Sequence, residues 1–183
     1  MQFNMWFLLC LVAFVLLLVI GRRLQARSNG SERKWLPKEL RDAELVYAEK
    51  LFRSGGAVPI VAKCDRAYRT KKGVIVLVEL KTRRLNRTYL SDVIELSATR
   101  FAIQMQTDVI AAGYGYVLVQ RSGKQRRFLH RVELLSDTEV VALANRRVAI
   151  LNGNIVPQYA CSDRLCTKCN FIQKCNLPAN TRL

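Results

Sequence analysis

Five consecutive apolar residues, Val74-Ile75-Val76-Leu77-Val78, run directly into Glu79-Leu80-Lys81. A strand with one wet face alternates polar and apolar side chains, so an unbroken apolar run rich in β-branched residues reads as a strand covered on both faces. Such a strand needs a sheet around it and a layer of helix or chain on each side. Upstream, Val58, Ile60 and Ala62 alternate with Pro59, Val61 and Lys63, and Lys71-Lys72-Gly73 supplies a turn. Residues 58–84 therefore read as a hairpin, with Asp65 closing its first strand and Glu79 and Lys81 closing its second.

The remaining pattern is regular enough to order. A helix is expected over 37–53, with Pro37 in its first turn and Ser54-Gly55-Gly56 stopping it. A long helix is expected over 89–112, closed by Gly113. Strands come next over 114–120 and 128–134, around Ser122-Gly123-Lys124. A last helix opens at Ser136, where Glu139 three residues on makes a capping-box pattern, and ends near Asn152-Gly153. Strands interleaved with helices in this way make an α/β fold, a mixed central sheet flanked by helices.

Two acids and a lysine where paired strands finish have a specific chemical use. Hard divalent cations such as Mg2+ and Mn2+ take carboxylate, carbonyl and water oxygens. Asp65 and Glu79 each offer one, and the backbone carbonyl of Leu80 offers a third. Side chains alternate along a strand, so Glu79 and Lys81 share a face, and Lys81 is placed to orient water or steady charge on a phosphoryl group. The bland alternative is a solvated strand end. Against it stands Glu79, since a carboxylate closing so apolar a run is costly to bury unpaired.

The charge balance, 30 Lys+Arg against 14 Asp+Glu for a net +16, favours a polyanionic partner, nucleic acid or anionic lipid, or serves solubility alone. The N-terminus bears on this. Met5 to Ile20 is unbroken apolar sequence, and basic residues, Arg22, Arg23 and Arg27, flank only its C-terminal end. Residues 1–21 read as a single-pass transmembrane anchor in contact with membrane lipid. The positive-inside rule then places the chain beyond the anchor in the cytoplasm, which suits a bacterial inner membrane. Residues 22–35 form a basic juxtamembrane linker, 36–157 the folded core and 158–183 a cysteine-rich tail.

Of the 6 cysteines, four stand at Cys161, Cys166, Cys169 and Cys175, with spacing Cys-x4-Cys-x2-Cys-x5-Cys. In a reducing compartment such crowding indicates metal ligation rather than disulfides. Four thiolates hold either Zn2+ or an iron–sulfur cluster, and spacing alone does not choose.

The order helix, Asp65, Glu79-Leu80-Lys81, helix, strands resembles the PD-(D/E)XK nuclease superfamily. The likeness is greatest to its RecB-like branch and to the CRISPR-associated exonuclease of the fourth Cas family. It covers roughly residues 37–175. It implies a restriction-endonuclease-like sheet and metal-dependent cleavage of DNA, exonuclease-like on single-stranded or end-containing substrates. Asp65 and Glu79 would be Mg2+ or Mn2+ ligands and Lys81 the catalytic lysine. Glu44, on the expected first helix, resembles an accessory acid of some members. RecB-like members carry Gln-x3-Tyr on the next helix. Glu95 and Thr99 hold that spacing here, Gln104 lies further along, and Arg100 is a candidate phosphate contact. Cys166, Cys169 and Cys175 reproduce the family's Cys-x2-Cys-x5-Cys, which implies a structural [4Fe-4S] cluster, with Cys161 in place of the family's upstream fourth ligand.

Overall fold

The computed structural model describes residues 35–156, apart from 57, 58, 122, 124 and 125, together with Cys10, Leu11 and Phe14. The expected anchor, most of the linker and the cysteine tail lie outside the described residues. Among the described residues no helix is long and apolar enough to cross a membrane. The chain forms two compact units, Met1–Val141 and Ala142–Leu183.

The first unit is a mixed α/β structure. In chain order it holds α1 (Lys38–Arg41), β1 (Glu44–Arg53), β2 (Val61–Arg69), β3 (Ile75–Arg83), α2 (Leu90–Thr107), β4 (Ala111–Arg121), β5 (Arg127–Glu133) and the start of α3 (Asp137–Leu151). The five strands make one sheet in the order β1-β2-β3-β4-β5. Neighbours are antiparallel except β3 and β4, which run parallel. A parallel pair cannot be closed by a tight turn, and α2 is the crossover that joins them.

The apolar run behaves as its composition demands. Ile75 and Leu77 face α2, in a cluster with Phe52, Cys64, Leu96, Ile103, Val117 and Val119. Val76 and Val78 face the other way, against Leu36, Leu40, Tyr68, Tyr116 and Leu118. β3 is thus covered on both sides, and β4 beside it carries buried residues from Tyr116 to Val119.

The expected helix over 37–53 is corrected. Only Lys38–Arg41 is helical, and Glu44–Arg53 is the edge strand β1, paired with β2 along its length. Two irregularities hide the strand in the sequence. The ladder slips between Leu45 and Tyr47, and Glu49 adopts a left-handed φ of 52°. Each interrupts the alternation of faces, leaving a pattern of Leu, Val, Ala and Phe that imitates a helical stripe. Pairing and burial of Phe52 override the local helical preference. The second helix also stops earlier than expected. Asp108, at φ 53°, caps α2 in the left-handed region, and β4 starts at Ala111 rather than after Gly113.

The capping box at the head of α3 is present. Ser136 N donates to Glu139 Oε2 at 2.7 Å, and Glu139 N donates to Ser136 Oγ at 3.3 Å. In the second unit the helix runs on to Leu151 and closes through Asn152 N to Val148 O, with Gly153 at φ 75°.

Candidate active site

The β2–β3 ladder runs from Arg69↔Ile75 to Arg66↔Val78 and stops there. β3 continues along β4, from Glu79↔Val117 to Arg83↔Arg121. β2 continues along β1 as far as Arg53↔Val61. The two hairpin strands therefore part just at Asp65 and Glu79. Asp65 was expected at the end of its strand; it lies in the middle of β2, because β1 keeps β2 extended past the divergence. Its carboxylate fills the gap: Asp65 Oδ2 accepts from Leu80 N at 2.9 Å, a side chain standing in for a ladder bond.

Glu79 comes next on β3 and is 3% exposed. Burial pushes its carboxyl up to about 7; a hydrogen bond from Lys81 opposes the rise and the Asp65 charge adds to it. Lys81 Nζ lies 2.7 Å from Glu79 Oε1 and 2.7 Å from Glu95 Oε2. Burial alone would lower the Lys81 pKa, but its bonds to the two carboxylates outweigh that and raise it. The lysine is an ammonium held between two acids.

Glu95 is aimed by the first turn of α2. Asp92 Oδ2 accepts from Tyr89 N at 2.9 Å, and Asp92 takes both ends of the Arg83 guanidinium, at 3.0 and 2.8 Å. This buried fork fixes the helix start to the C-terminal end of β3. Glu95, nearly one turn on from Asp92, then faces Lys81. Sequence reasoning missed the Arg83–Asp92 pair. The only local hint was an acid three residues after Tyr89, at the spacing of a helix cap.

The other candidate residues have separate tasks. Arg100 Nη2 bonds Asp137 Oδ1 at 2.5 Å and ties α2 to the head of α3, so it does not reach the Asp65–Glu79 pair. Thr99 is buried and donates back to Glu95 O at 2.9 Å. Gln104 stands nine residues beyond Glu95, about 13 Å along the helix axis, and its Oε1 is buried without a hydrogen-bond partner among the described residues. Gln106 Oε1 accepts from Arg53 N at 2.8 Å. Glu44 is not on a helix. It is exposed on β1, with Arg69 at 3.5 Å, opposite the β2 residue four positions from Asp65. His130 Nε2 meets Asn86 Oδ1 at 2.7 Å.

Cys64 packs in the core on the α2 side, and its thiol is pushed up to about 12 by burial and then by the Asp65 and Glu79 charges. It stays protonated and unreactive. Cys161, Cys166, Cys169 and Cys175 lie outside the described residues.

A metal is tested here by the donor set. Among the described residues no three His, Cys, Asp or Glu side chains converge on one point. Asp65 and Glu79 supply two hard oxygen donors at the strand divergence, and the Glu79 carboxyl is raised first by burial and further by the Asp65 charge, the part a cation between them would offset. Carboxylate oxygens are the donor type that Mg2+ and Mn2+ take. The Leu80 amide is held by Asp65, which leaves the carbonyl expected as a third donor on the same residue. A cavity of about 620 Å³ opens at the opposite end of β3, beside Lys71, Lys72 and Val74, and takes no part in this arrangement.

No protein-family model matches the chain, and no curated protein matches it. The fold does have counterparts among solved structures. One is the crystal structure of SSO0001, which aligns with 90% of this chain and 70% of its own at 17% identity and a TM-score of 0.51. At that identity the likeness is one of fold alone.

Proposed function

We propose that the chain is a metal-dependent deoxyribonuclease of the PD-(D/E)XK kind. It would be held at a membrane by its N-terminal apolar segment, with a structural [4Fe-4S] cluster, or Zn2+, on the tail cysteines. The observation that carries the reading is the meeting of Asp65, Glu79 and Lys81 where β2 and β3 part, with Asp65 bonded to the Leu80 amide and Lys81 to Glu79. A solvated strand end, the bland alternative, does not bury a carboxylate to 3% exposure beside a second one.

Asp65 and Glu79 are the residues that would hold Mg2+ or Mn2+. When bound, such an ion polarises the phosphoryl oxygen and acidifies a water. The chain's own contribution is the placement of charge. Lys81, kept protonated by Glu79 and Glu95, acts as an ammonium donor to a non-bridging phosphate oxygen as negative charge builds there, rather than as the base that takes the proton from water. The Asp65–Leu80 bond holds one carboxylate at a fixed height against the other. Burial of Glu79 keeps that side of the centre dry and its electrostatics strong.

One observation favours a second reading, a catalytically weak module that only binds nucleic acid. Lys81 is shared by two carboxylates, and the family's glutamine position carries Glu95. The assay that separates the two uses the full chain, purified in mild detergent without oxygen. Labelled single- and double-stranded DNA are incubated with Mn2+ or Mg2+, beside Glu79→Ala and Lys81→Ala. Cleavage lost in both variants supports the nuclease. Folded protein that binds DNA and never cuts it supports the module.

A further inference from the structure

The C-terminal ends of β3 and β4, with the start of β5, gather arginines and no acid. Arg83 and Arg121 are direct cross-strand partners, and Arg127 pairs with Gln120 one position away. Arg84, Arg87, Arg121, Arg126 and Arg127 are exposed. Between Glu79 and Asp92, and again between Tyr116 and Val132, the sequence holds no Asp or Glu. Asp92, the nearest carboxylate on α2, is already taken by Arg83. Like charges set opposite one another on neighbouring strands destabilise a sheet; Asp92 offsets Arg83, while the exposed Arg84, Arg87, Arg121, Arg126 and Arg127 have no carboxylate partner among the described residues.

The rim is also braced. Arg121 Nε donates to Arg84 O at 3.2 Å, and Arg83 Nη1 donates to Arg87 O at 3.4 Å, fastening the β3–α2 loop to the sheet end. Flat rings are interleaved with the charges. The Arg83 and Arg87 guanidinium carbons lie 4.9 and 4.7 Å from the Tyr89 ring centre, and that of Arg126 lies 4.8 Å from the Phe128 ring. Fixed cations among aromatic and guanidinium planes are what a chain of phosphates and unpaired bases needs: the cations track the backbone, and the planes accept stacked bases. Arg83 lies two residues beyond Lys81 on β3, about 7 Å along the strand, so the rim adjoins the candidate centre.

We infer that the arginine rim formed by Arg84, Arg87, Arg121, Arg126 and Arg127 is the track for a single-stranded nucleic acid leading to Lys81. The inference builds on the nuclease reading, but its test does not depend on cleavage. Full-length protein is titrated with a labelled single-stranded oligonucleotide in chelator, by fluorescence anisotropy, across a salt series. The Arg84→Gln/Arg87→Gln/Arg121→Gln variant should bind at least tenfold more weakly. Its slope of log affinity against log salt should fall by about 2, since each phosphate contact on a single strand contributes about 0.7. Lys71→Gln/Lys72→Gln, at the far end of β3, should bind within twofold of the wild type. Arg126→Gln/Arg127→Gln provides an independent reading should the triple variant lose its wild-type circular dichroism.

A wild-type slope in both rim variants overturns the inference. So does an equal loss in the far-end variant, which would make the binding diffuse. No oligonucleotide binding by the wild type, with binding instead to phosphatidylserine vesicles that the rim variants lose, reassigns the rim to a lipid surface and also overturns it. Rim-dependent binding without cleavage in Mn2+ leaves the inference standing and removes only the nuclease reading.

Discussion

The burial of Glu79 has a consequence for stability that is independent of any activity. Its carboxyl is pushed up to about 7 in the folded chain from an ordinary value of 4.5. Between those two values the unfolded chain has released this proton and the folded chain has kept it. Unfolding stability therefore falls as pH rises through that window, by about 1.4 kcal/mol per pH unit. Over the whole window the loss is about 3 kcal/mol. Glu79→Gln keeps the size of the side chain and cannot ionise, so it removes that slope. Denaturant unfolding followed by circular dichroism, at pH 4, 6 and 8, measures the difference between variant and wild type, in which all other titrations cancel. The difference should shift in favour of the variant by about 3 kcal/mol from pH 4 to pH 8. Mn2+ at pH 8 should then restore part of the wild-type loss and leave Glu79→Gln unchanged, because a ligand of the folded state stabilises in proportion to its occupancy. A pH-independent difference would refute the claim that Glu79 is desolvated beside Asp65.

Glu95→Gln should raise the cleavage rate and move stability by less than about 1 kcal/mol, because the Glu95 ion pair is half-exposed and competes with substrate for the Lys81 ammonium; cleavage kinetics beside Lys81→Ala check it. Arg83→Ala strands Asp92 without its fork and should cost about 3 kcal/mol in thermal unfolding, whereas Arg84→Ala, whose side chain is exposed, should cost less than about 0.5 kcal/mol. Gly115→Ala would bring a methyl group to 3.1 Å from Leu77 O inside the β3–β4 ladder. Because that oxygen belongs to a central strand and cannot swing aside, a loss of about 1–3 kcal/mol in denaturant unfolding is expected.

How much of this was readable in the sequence depended on how local the determining interactions are. The β2–β3 hairpin and its three charged residues were legible because the Val74–Val78 run admits one interpretation at its length, and because strand alternation puts Glu79 and Lys81 on one face without further information. The cap at Ser136 and Glu139 was legible for the same reason: both halves of the bond lie within one turn. β1 was not, since its alternation is broken by the slip near Leu45 and the left-handed Glu49, and its status as a strand is decided by pairing with residues up to 25 positions away, as in Glu44↔Arg69. Glu44 stands on that strand rather than on the helix that was expected to carry it. Glu95 was singled out only through the resemblance, at the Gln position of Gln-x3-Tyr, and its grip on Lys81 depends on how the Arg83–Asp92 fork docks α2, which no local pattern states. Arg100 looked available for a phosphate because its partner, Asp137, is 37 residues away.

The charges around the centre and those around the rim pull in opposite senses, and together they bear on why a cation would be needed. The chain as a whole is +16, and the arginine rim proposed above would draw phosphate inward. Yet among the described residues Asp65, Glu79 and Glu95 stand where β2 and β3 part, and Lys81 is bonded to two of them. An uncompensated carboxylate about 6 Å from a phosphate would oppose it by roughly 3 kcal/mol at an effective dielectric near 20. On the nuclease reading, the long-range field would therefore deliver a substrate to a spot whose carboxylates oppose it. Protonating Glu79 would remove one of those charges. A divalent cation held by Asp65 and Glu79 would offset both of theirs, and Lys81, no longer neutralising Glu79, would be free to turn its protons toward the phosphate.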